Sequence, residues 1–212
     1  MSLRLVIFDM DGVLVDACEW HRVALNEALN EIAGFTISRE EHYSTFNGIP
    51  TKVKLGMLRE RGLLSREQSA QIYELKQSKT VEIIETTAEE QQEKIELLSW
   101  LKKNSITVAC FTNSIRETAT LMLQKTGVYE LLDMLVTNQD VKKAKPDPEG
   151  YLKILEHYKL SANDVMIIED SPKGLASARA SGCSVMQVQN PDQVTKERVE
   201  DYINENFNSN GR

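Results

Sequence analysis

The chain has 212 residues, with 32 acidic and 25 basic side chains and a formal net charge of −7. Acids and bases are interspersed rather than gathered into a basic stripe, which argues against nucleic acid or a membrane surface as partner. Any phosphate the protein handles is then expected to be small and locally held. At roughly 150 residues per domain the length suggests one large domain or a core with a modest insertion, and a hydrophobic content of 41% is enough for a packed core. Cys18, Cys110 and Cys183 stand far apart and form no C-x-x-C pair. Neither a disulfide framework nor a zinc ribbon is indicated, and a reducing, cytoplasmic setting fits. No signal-peptide pattern and no run of about 18 apolar residues is visible, so no transmembrane helix is expected. No long amphipathic seam is left over, which makes a monomer the expected state.

Two kinds of segment alternate. Short apolar or β-branched runs at residues 3–8, 107–112, 134–137, 165–168 and 184–188 are too short for helices and lack period-two polarity, so they read as strands buried on both faces. Between them lie stretches of helical spacing: Ile95, Leu98 and Leu101, then Ala119, Met122 and Leu123, then Tyr151, Ile154 and Leu155. Gly127 and Gly182 fall where a helix ends, and Ser171-Pro172 is a serviceable helix start. Strand and helix in alternation imply a parallel sheet with helices on both faces. One region departs from this. Residues 17–85 contain only helical stretches: Leu25, Ala28, Leu29 and Ile32, then residues 53–61, then a long polar helix opened by Ser65 with Gln68 three residues on, a capping-box spacing. This block reads as a small helical cap inserted after the first strand, leaving residues 1–16 and 86–212 as a Rossmann-like α/β core. The polar tract 86–92 is expected to carry the return connection, and residues 206–212 are expected to fray.

The first strand runs into Asp9-Met10-Asp11-Gly12-Val13. In an open parallel sheet, groups just past the carboxyl ends of the strands meet at a ligand crevice. An isolated pair of acids there is more often solvated loop charge. Its company changes that weighing. Thr112-Asn113-Ser114 ends the second buried strand with hydroxyl and amide groups, Lys145-Pro146 precedes a helix, and another buried strand delivers Glu169-Asp170-Ser171-Pro172. A carboxylate pair, a hydroxyl, a cation and a second carboxylate pair suit phosphoryl transfer. An anionic nucleophile attacks the charged phosphoryl group only if a metal and cationic or hydrogen-bonding groups offset the charge. Mg²⁺ takes hard oxygen ligands, which Asp9 and Asp170 could supply together with the Asp11 carbonyl. Asp11 would then be free for acid and base work.

These four ordered motifs make the chain similar to the haloacid dehalogenase (HAD) superfamily of phosphatases and phosphomutases, over nearly its full length. The resemblance implies a Rossmann-like core with a helical cap, an aspartyl-phosphate intermediate on Asp9, and Asp11 as general acid and base. It implies Thr112 and Lys145 on the phosphate, Mg²⁺ held by Asp9, the Asp11 carbonyl and Asp170, and Glu169 in or near the metal's outer ligand layer. The family's dehalogenases have no acid at the place of Asp11 and need no metal, so dehalogenation is set aside.

Phosphatase and phosphomutase share all four motifs. The stretch around His21 resembles the hinge of the β-phosphoglucomutase branch, but capped phosphatases carry a histidine there too, and a hinge role for it weighs evenly against a substrate or proton-relay role. Phe46-Asn47-Gly48-Ile49-Pro50-Thr51 is similar to the family's specificity loop. The mutases place an arginine three residues after that glycine, where this chain has Thr51, and the pair Thr112-Asn113 is more like the phosphatases. Hydrolysis of a small phosphorylated metabolite is therefore expected, with Asn113, Ser114, Asn47, Gly48 and His21 as candidate substrate contacts. The alternatives are a phosphomutase and a phosphate- or partner-binding protein without turnover. His42 and His157 are expected to be satisfied surface or half-buried side chains, Cys110 and Cys183 to be packing residues, Lys142 and Lys143 to be solvated, and Asp16 to support the hinge.

Overall fold

The computed structural model describes residues 3–207. Five strands, β1 (Leu5–Phe8), β2 (Thr107–Phe111), β3 (Met134–Val136), β4 (Val165–Glu169) and β5 (Ser184–Gln187), pair throughout in parallel, in the order β3-β2-β1-β4-β5. The sequence-based reading as an α/β parallel sheet is borne out. In β1 alternate side chains serve opposite faces. Val6 and Phe8 join one core with the helices α5 (Gln92–Lys103), α6 (Arg116–Lys125) and α9 (Lys196–Asn206), while Leu5 and Ile7 join another with α7 (Glu149–Tyr158) and α8 (Pro172–Ala180). β2 and β4 divide in the same way, which explains why these strands show unbroken apolar runs. The outer strands differ from expectation. Most side chains of β3 and β5 are only half-buried or exposed, because each strand has a neighbour on one side only.

The chain crosses to one side of β1 for β2 and β3 and to the other for β4 and β5. The carboxyl ends of β1, β2 and β4 therefore converge at a topological switch point. Between β1 and β2 lie the helices α1 (Cys18–Ala33), a short α2 (Arg39–Glu41) running into a π-helical turn (His42–Phe46), α3 (Thr51–Glu60) and α4 (Arg66–Thr87). They share an apolar cluster of their own, built around Leu25, Leu29, Phe46, Leu58 and Ile72. Ser65 caps α4 through a complete capping box: its Oγ accepts from Gln68 N at 3.0 Å, and its own N–H donates to Gln68 Oε1 at 2.9 Å. α4 extends to Thr87, so the return connection is shorter than the polar tract suggested, only residues 88–91. Ile84, near the end of that helix, packs into the sheet's core rather than that of the helical layer. Of the segment expected to fray, residues 208–212 lie outside the described residues, and Asn206 and Phe207 close α9.

Candidate active site

The loop after β1 turns sharply. Gly12 N–H donates to Val15 O at 2.8 Å, and Leu14 and Val15 N–H both return to Met10 O. Gly12 has φ +94°, and a Cβ there would lie 2.2 Å from Asp170 Oδ2. The turn thus brings the β1 loop against the acid that follows β4, and only glycine permits the approach.

Lys145 is the hub of the buried part of the site. It is 4% exposed and reaches back to the sheet, where its ammonium donates to Asp9 Oδ1 at 2.6 Å, to Phe111 O at 2.8 Å and to Glu169 Oε1. It also lies over the Phe111 and Tyr151 rings, 4.7 and 5.2 Å from their centroids. Burial alone would lower its pKa, yet Asp9 and Glu169 hold it well above the ordinary lysine value. Asp9 shows the opposite balance. Burial and the nearby Glu169 and Asp170 carboxylates raise it well above the ordinary range despite Lys145. Glu169 is fully buried, with Tyr151 Oη donating to Oε1 at 2.9 Å and the Asp170 N–H donating to Oε2 at 3.1 Å.

Asp11 lies in a different environment. Its Oδ1 is 3.1 Å from His21 Nε2, and its Oδ2 accepts from Ser114 Oγ at 3.0 Å and from Thr112 Oγ1 at 3.4 Å. Burial works to raise this carboxyl, but His21, Ser114 and Lys76 together hold it below the usual value. Behind it, Lys76 of α4 lies 3.1 Å from His21 Nδ1. His21 is kept below its ordinary value by burial and by Lys76, against the pull of Asp11. The consistent assignment is a charged Lys76 donating to a neutral imidazole, which donates in turn to the Asp11 carboxylate.

Of the residues picked from sequence, Asp9, Asp11, His21, Asn47, Gly48, Asn113, Ser114 and Lys145 line one cavity of about 580 Å³ between the sheet and the helical layer. Thr112 is fully buried at its base, with Oγ1 accepting the Ser114 N–H at 3.0 Å. Asn113 ties the layers together. Its Nδ2 donates to Gly48 O at 2.8 Å, and its Oδ1 accepts the Lys145 N–H at 3.1 Å. Gly48 needs its φ of +72° and leaves little room beside Ser171, whose Oγ would be 3.3 Å from an added Cβ. Lys173 Nζ donates to Thr45 O at 3.2 Å, a second bond between the sheet layer and the helical layer.

Asp9, Glu169 and Asp170 each offer an oxygen within 4.8 Å of the others. Asp170 Oδ1 is buried without a hydrogen-bond partner among the described residues. Burial and Glu169 push the Asp170 carboxyl up to about 7. A buried, unsatisfied oxygen beside two more carboxylates, with oxygen donors only, fits a small hard divalent cation such as Mg²⁺.

The expectation for His42 is corrected. His42 is not a satisfied half-buried side chain: it is 1% exposed, neither ring nitrogen has a hydrogen bond among the described residues, and burial holds it down to about 3, as a neutral ring set edge-on to Tyr43. Asp16 is exposed, and Cys18 lines the cavity, where burial pushes its thiol up and away from thiolate chemistry. Lys54 and Lys76, both buried cavity residues, escaped the sequence reading. The available signal was the buried stripe of α4, where Lys76 stands in register with Ser69, Ile72, Thr80 and Ile84 on a face otherwise free of charge.

Comparison with known proteins agrees with this geometry. Residues 6–188 match the family described as haloacid dehalogenase-like hydrolase. Protein CbbY of Rhodobacter capsulatus is 29% identical over 204 residues, covering 92% of this chain and 88% of the relative. The phosphorylated carbohydrates phosphatase of Thermotoga maritima is 27% identical, covering 85% and 82%. Among solved structures, β-phosphoglucomutase from Clostridium difficile superposes with a TM-score of 0.82 at 21% identity, covering 96% and 98%. CbbY from Rhodobacter sphaeroides with xylulose 1,5-bisphosphate does so with 0.79 at 21%, covering 87% and 85%. At those identities the superpositions speak for the fold alone.

Proposed function

This chain belongs to the haloacid dehalogenase-like hydrolases and is a phosphatase of that type, and we propose that it is a Mg²⁺-dependent enzyme hydrolysing a small phosphate monoester, a sugar phosphate or related metabolite, through an aspartyl-phosphate on Asp9. The observation that carries this reading is the contrast between two carboxylates on one loop: Asp9 sits against Lys145 among acids, and Asp11 against His21 and Ser114. Groups whose environments push them apart suit different roles.

In this reading an Asp9 oxygen attacks phosphorus, and the bond from phosphorus to the ester oxygen breaks. Asp11, first protonated along the line from Lys76 through His21, gives that proton to the departing oxygen. Water then attacks the phosphorus, Asp11 takes the water's proton, and Asp9 is regenerated as inorganic phosphate leaves. The line from Lys76 through His21 to Asp11 Oδ1 offers a path along which that proton is returned. Lys145 keeps Asp9 oriented and offsets the charge of the incoming phosphate. Asp9, Asp170 and the Asp11 carbonyl would hold the ion, with Glu169 supporting from behind, and the bound ion would offset phosphoryl charge and bring the two anions together. Residues 17–85 would act as a cap over a core made of residues 1–16 and 86–212, excluding bulk water through Asn113 to Gly48 and Lys173 to Thr45. Thr51, in place of the mutases' arginine, favours hydrolysis over phosphoryl return to a sugar.

A panel of phosphorylated metabolites tests this. Phosphate release abolished by EDTA, restored by Mg²⁺ and lost in Asp9→Asn is expected. Release that persists without metal, or in that variant, would reject it.

A further inference from the structure

Tyr151 is a buried titratable group that the reaction as derived leaves unused. It stands on the apolar face of α7 beside Ile154 and Leu155, where a phenylalanine would pack as well, so its hydroxyl needs a reason of its own. The side chain is fully buried, its ring is set edge-on to Phe111 with centroids 4.9 Å apart, and its Oη donates to Glu169 Oε1 at 2.9 Å. That same oxygen accepts from Lys145 Nζ. Glu169 Oε2 is held separately, by the N–H groups of Asp170 at 3.1 Å and Ser171 at 3.4 Å. Burial keeps the Tyr151 phenol well above its ordinary value, so it stays a neutral donor.

Two donors on one oxygen matter because Lys145 has no bond to spare. Its ammonium carries three N–H groups, and Asp9 Oδ1, Phe111 O and Glu169 Oε1 take all three. To meet a phosphoryl group arriving on Asp9, the ammonium must loosen one of them. Glu169 competes with Asp9 for the cation, and a fully buried carboxylate oxygen is costly to leave without a donor. With Tyr151 on it, Glu169 Oε1 keeps a partner when Lys145 turns toward the phosphoryl group. We propose that Tyr151 is a positioning residue: by holding Glu169 Oε1, its phenol leaves the Lys145 ammonium free to follow Asp9 and the phosphoryl group that Asp9 receives. The proposal rests on the phosphatase reading and deepens it. Tyr151 does not line the cavity, and it acts only through Glu169 and Lys145.

Tyr151→Phe in the full-length protein removes the donated bond and keeps the ring that lies 5.2 Å from the ammonium. Lys145 becomes the sole side-chain donor to Glu169 Oε1 and is drawn toward it. The turnover number is expected to fall about 10-fold with KM within about 2-fold of the parent, the size of one hydrogen bond to a charged group lost from the transition state. A packing role would lower the urea midpoint and leave the turnover of the folded protein unchanged. The route through Glu169 is read by a double-mutant cycle: in Glu169→Gln, where the competing charge is gone, adding Tyr151→Phe should change turnover by less than about 2-fold. Calorimetric binding of beryllofluoride with Mg²⁺ to the same four proteins repeats the cycle without turnover, with about 10-fold weaker binding expected in Tyr151→Phe and no further loss in the Glu169→Gln background. Turnover and beryllofluoride binding of Tyr151→Phe both within about 2-fold of the parent, or an equal loss in the Glu169→Gln background, would overturn the proposal. Beryllofluoride binding that follows the cycle in a protein that releases no phosphate would instead count against the hydrolytic reading alone.

Discussion

Replacing Lys145 with methionine removes one charge from a buried cluster and leaves the rest in place. The ammonium now bonds Asp9, Glu169 and the Phe111 carbonyl, and both carboxylate residues are below 10% exposed. Methionine preserves most of the side chain's volume, so the loss is electrostatic. Removing one partner of a buried ion pair costs about 3–5 kcal/mol, because the remaining charge stays buried and unpaired. With an m-value of about 2 kcal/mol/M, the urea midpoint of the metal-free protein should fall by about 2 M. The pH dependence has a definite sign. Asp9 already lies above the ordinary carboxyl range, and without Lys145 its folded value rises further. A carboxyl raised in the fold keeps a proton that the unfolded chain has released, so stability falls as pH climbs. The deficit of Lys145→Met is therefore expected to be smallest near about pH 5 and to grow through neutrality. Urea unfolding of both proteins in EDTA at several pH values measures it. A variant within about 1 kcal/mol of the parent at neutral pH, or a deficit that shrinks as pH rises, would refute the reasoning.

Asp11→Asn should slow hydrolysis of alkyl phosphates by about 10²–10⁴, with a smaller loss on an aryl phosphate whose leaving group needs no proton, as steady-state rates on the two ester classes would show. Gly12→Ala forces a Cβ onto Asp170 at positive φ, so a loss of about 1–3 kcal/mol in urea unfolding and a raised Mg²⁺ requirement in the activity assay are expected together. Lys76→Met should stabilise the protein at neutral pH while impairing turnover. Burial and Lys54 hold Lys76 at about 7, whereas an unfolded lysine titrates near about 10.4, so the unfolded chain binds a proton that the fold holds weakly. Stability of the parent then rises with pH across that window, and the advantage of Lys76→Met in urea unfolding should shrink toward about pH 10.

The sheet and the polar groups at its carboxyl edge were legible because both are written locally. An apolar run such as Leu5 to Phe8, followed at once by Asp9, states that a strand ends and a polar group stands at its carboxyl end, and Phe111-Thr112 and Glu169-Asp170 repeat the statement. The order β3-β2-β1-β4-β5 then brings those ends together. The helical layer's side of the cavity is not written locally. Lys54 and Lys76 are 22 residues apart on different helices and share a cavity only because α1, α3 and α4 pack around Leu25, Leu58 and Ile72. In sequence each looks like one more lysine on a polar helix. His42 misled for a related reason: its burial comes from tertiary packing of a short π-helical turn that no spacing announces. The connection expected over residues 86–92 begins later because α4 carries on through Thr86 and Thr87, poor helix formers, once Ile84 is docked on the sheet's core.

The most direct measurement quenches the enzyme in acid during turnover of an ester with a labelled phosphoryl group, reduces the acyl phosphate with borohydride, and maps the modified peptide by mass spectrometry. The quenched protein is expected to carry the label before reduction, and borohydride then releases it as phosphate and leaves homoserine at Asp9, in the peptide that also contains Asp11. Label on another residue, or none while labelled phosphate accumulates, would contradict the account.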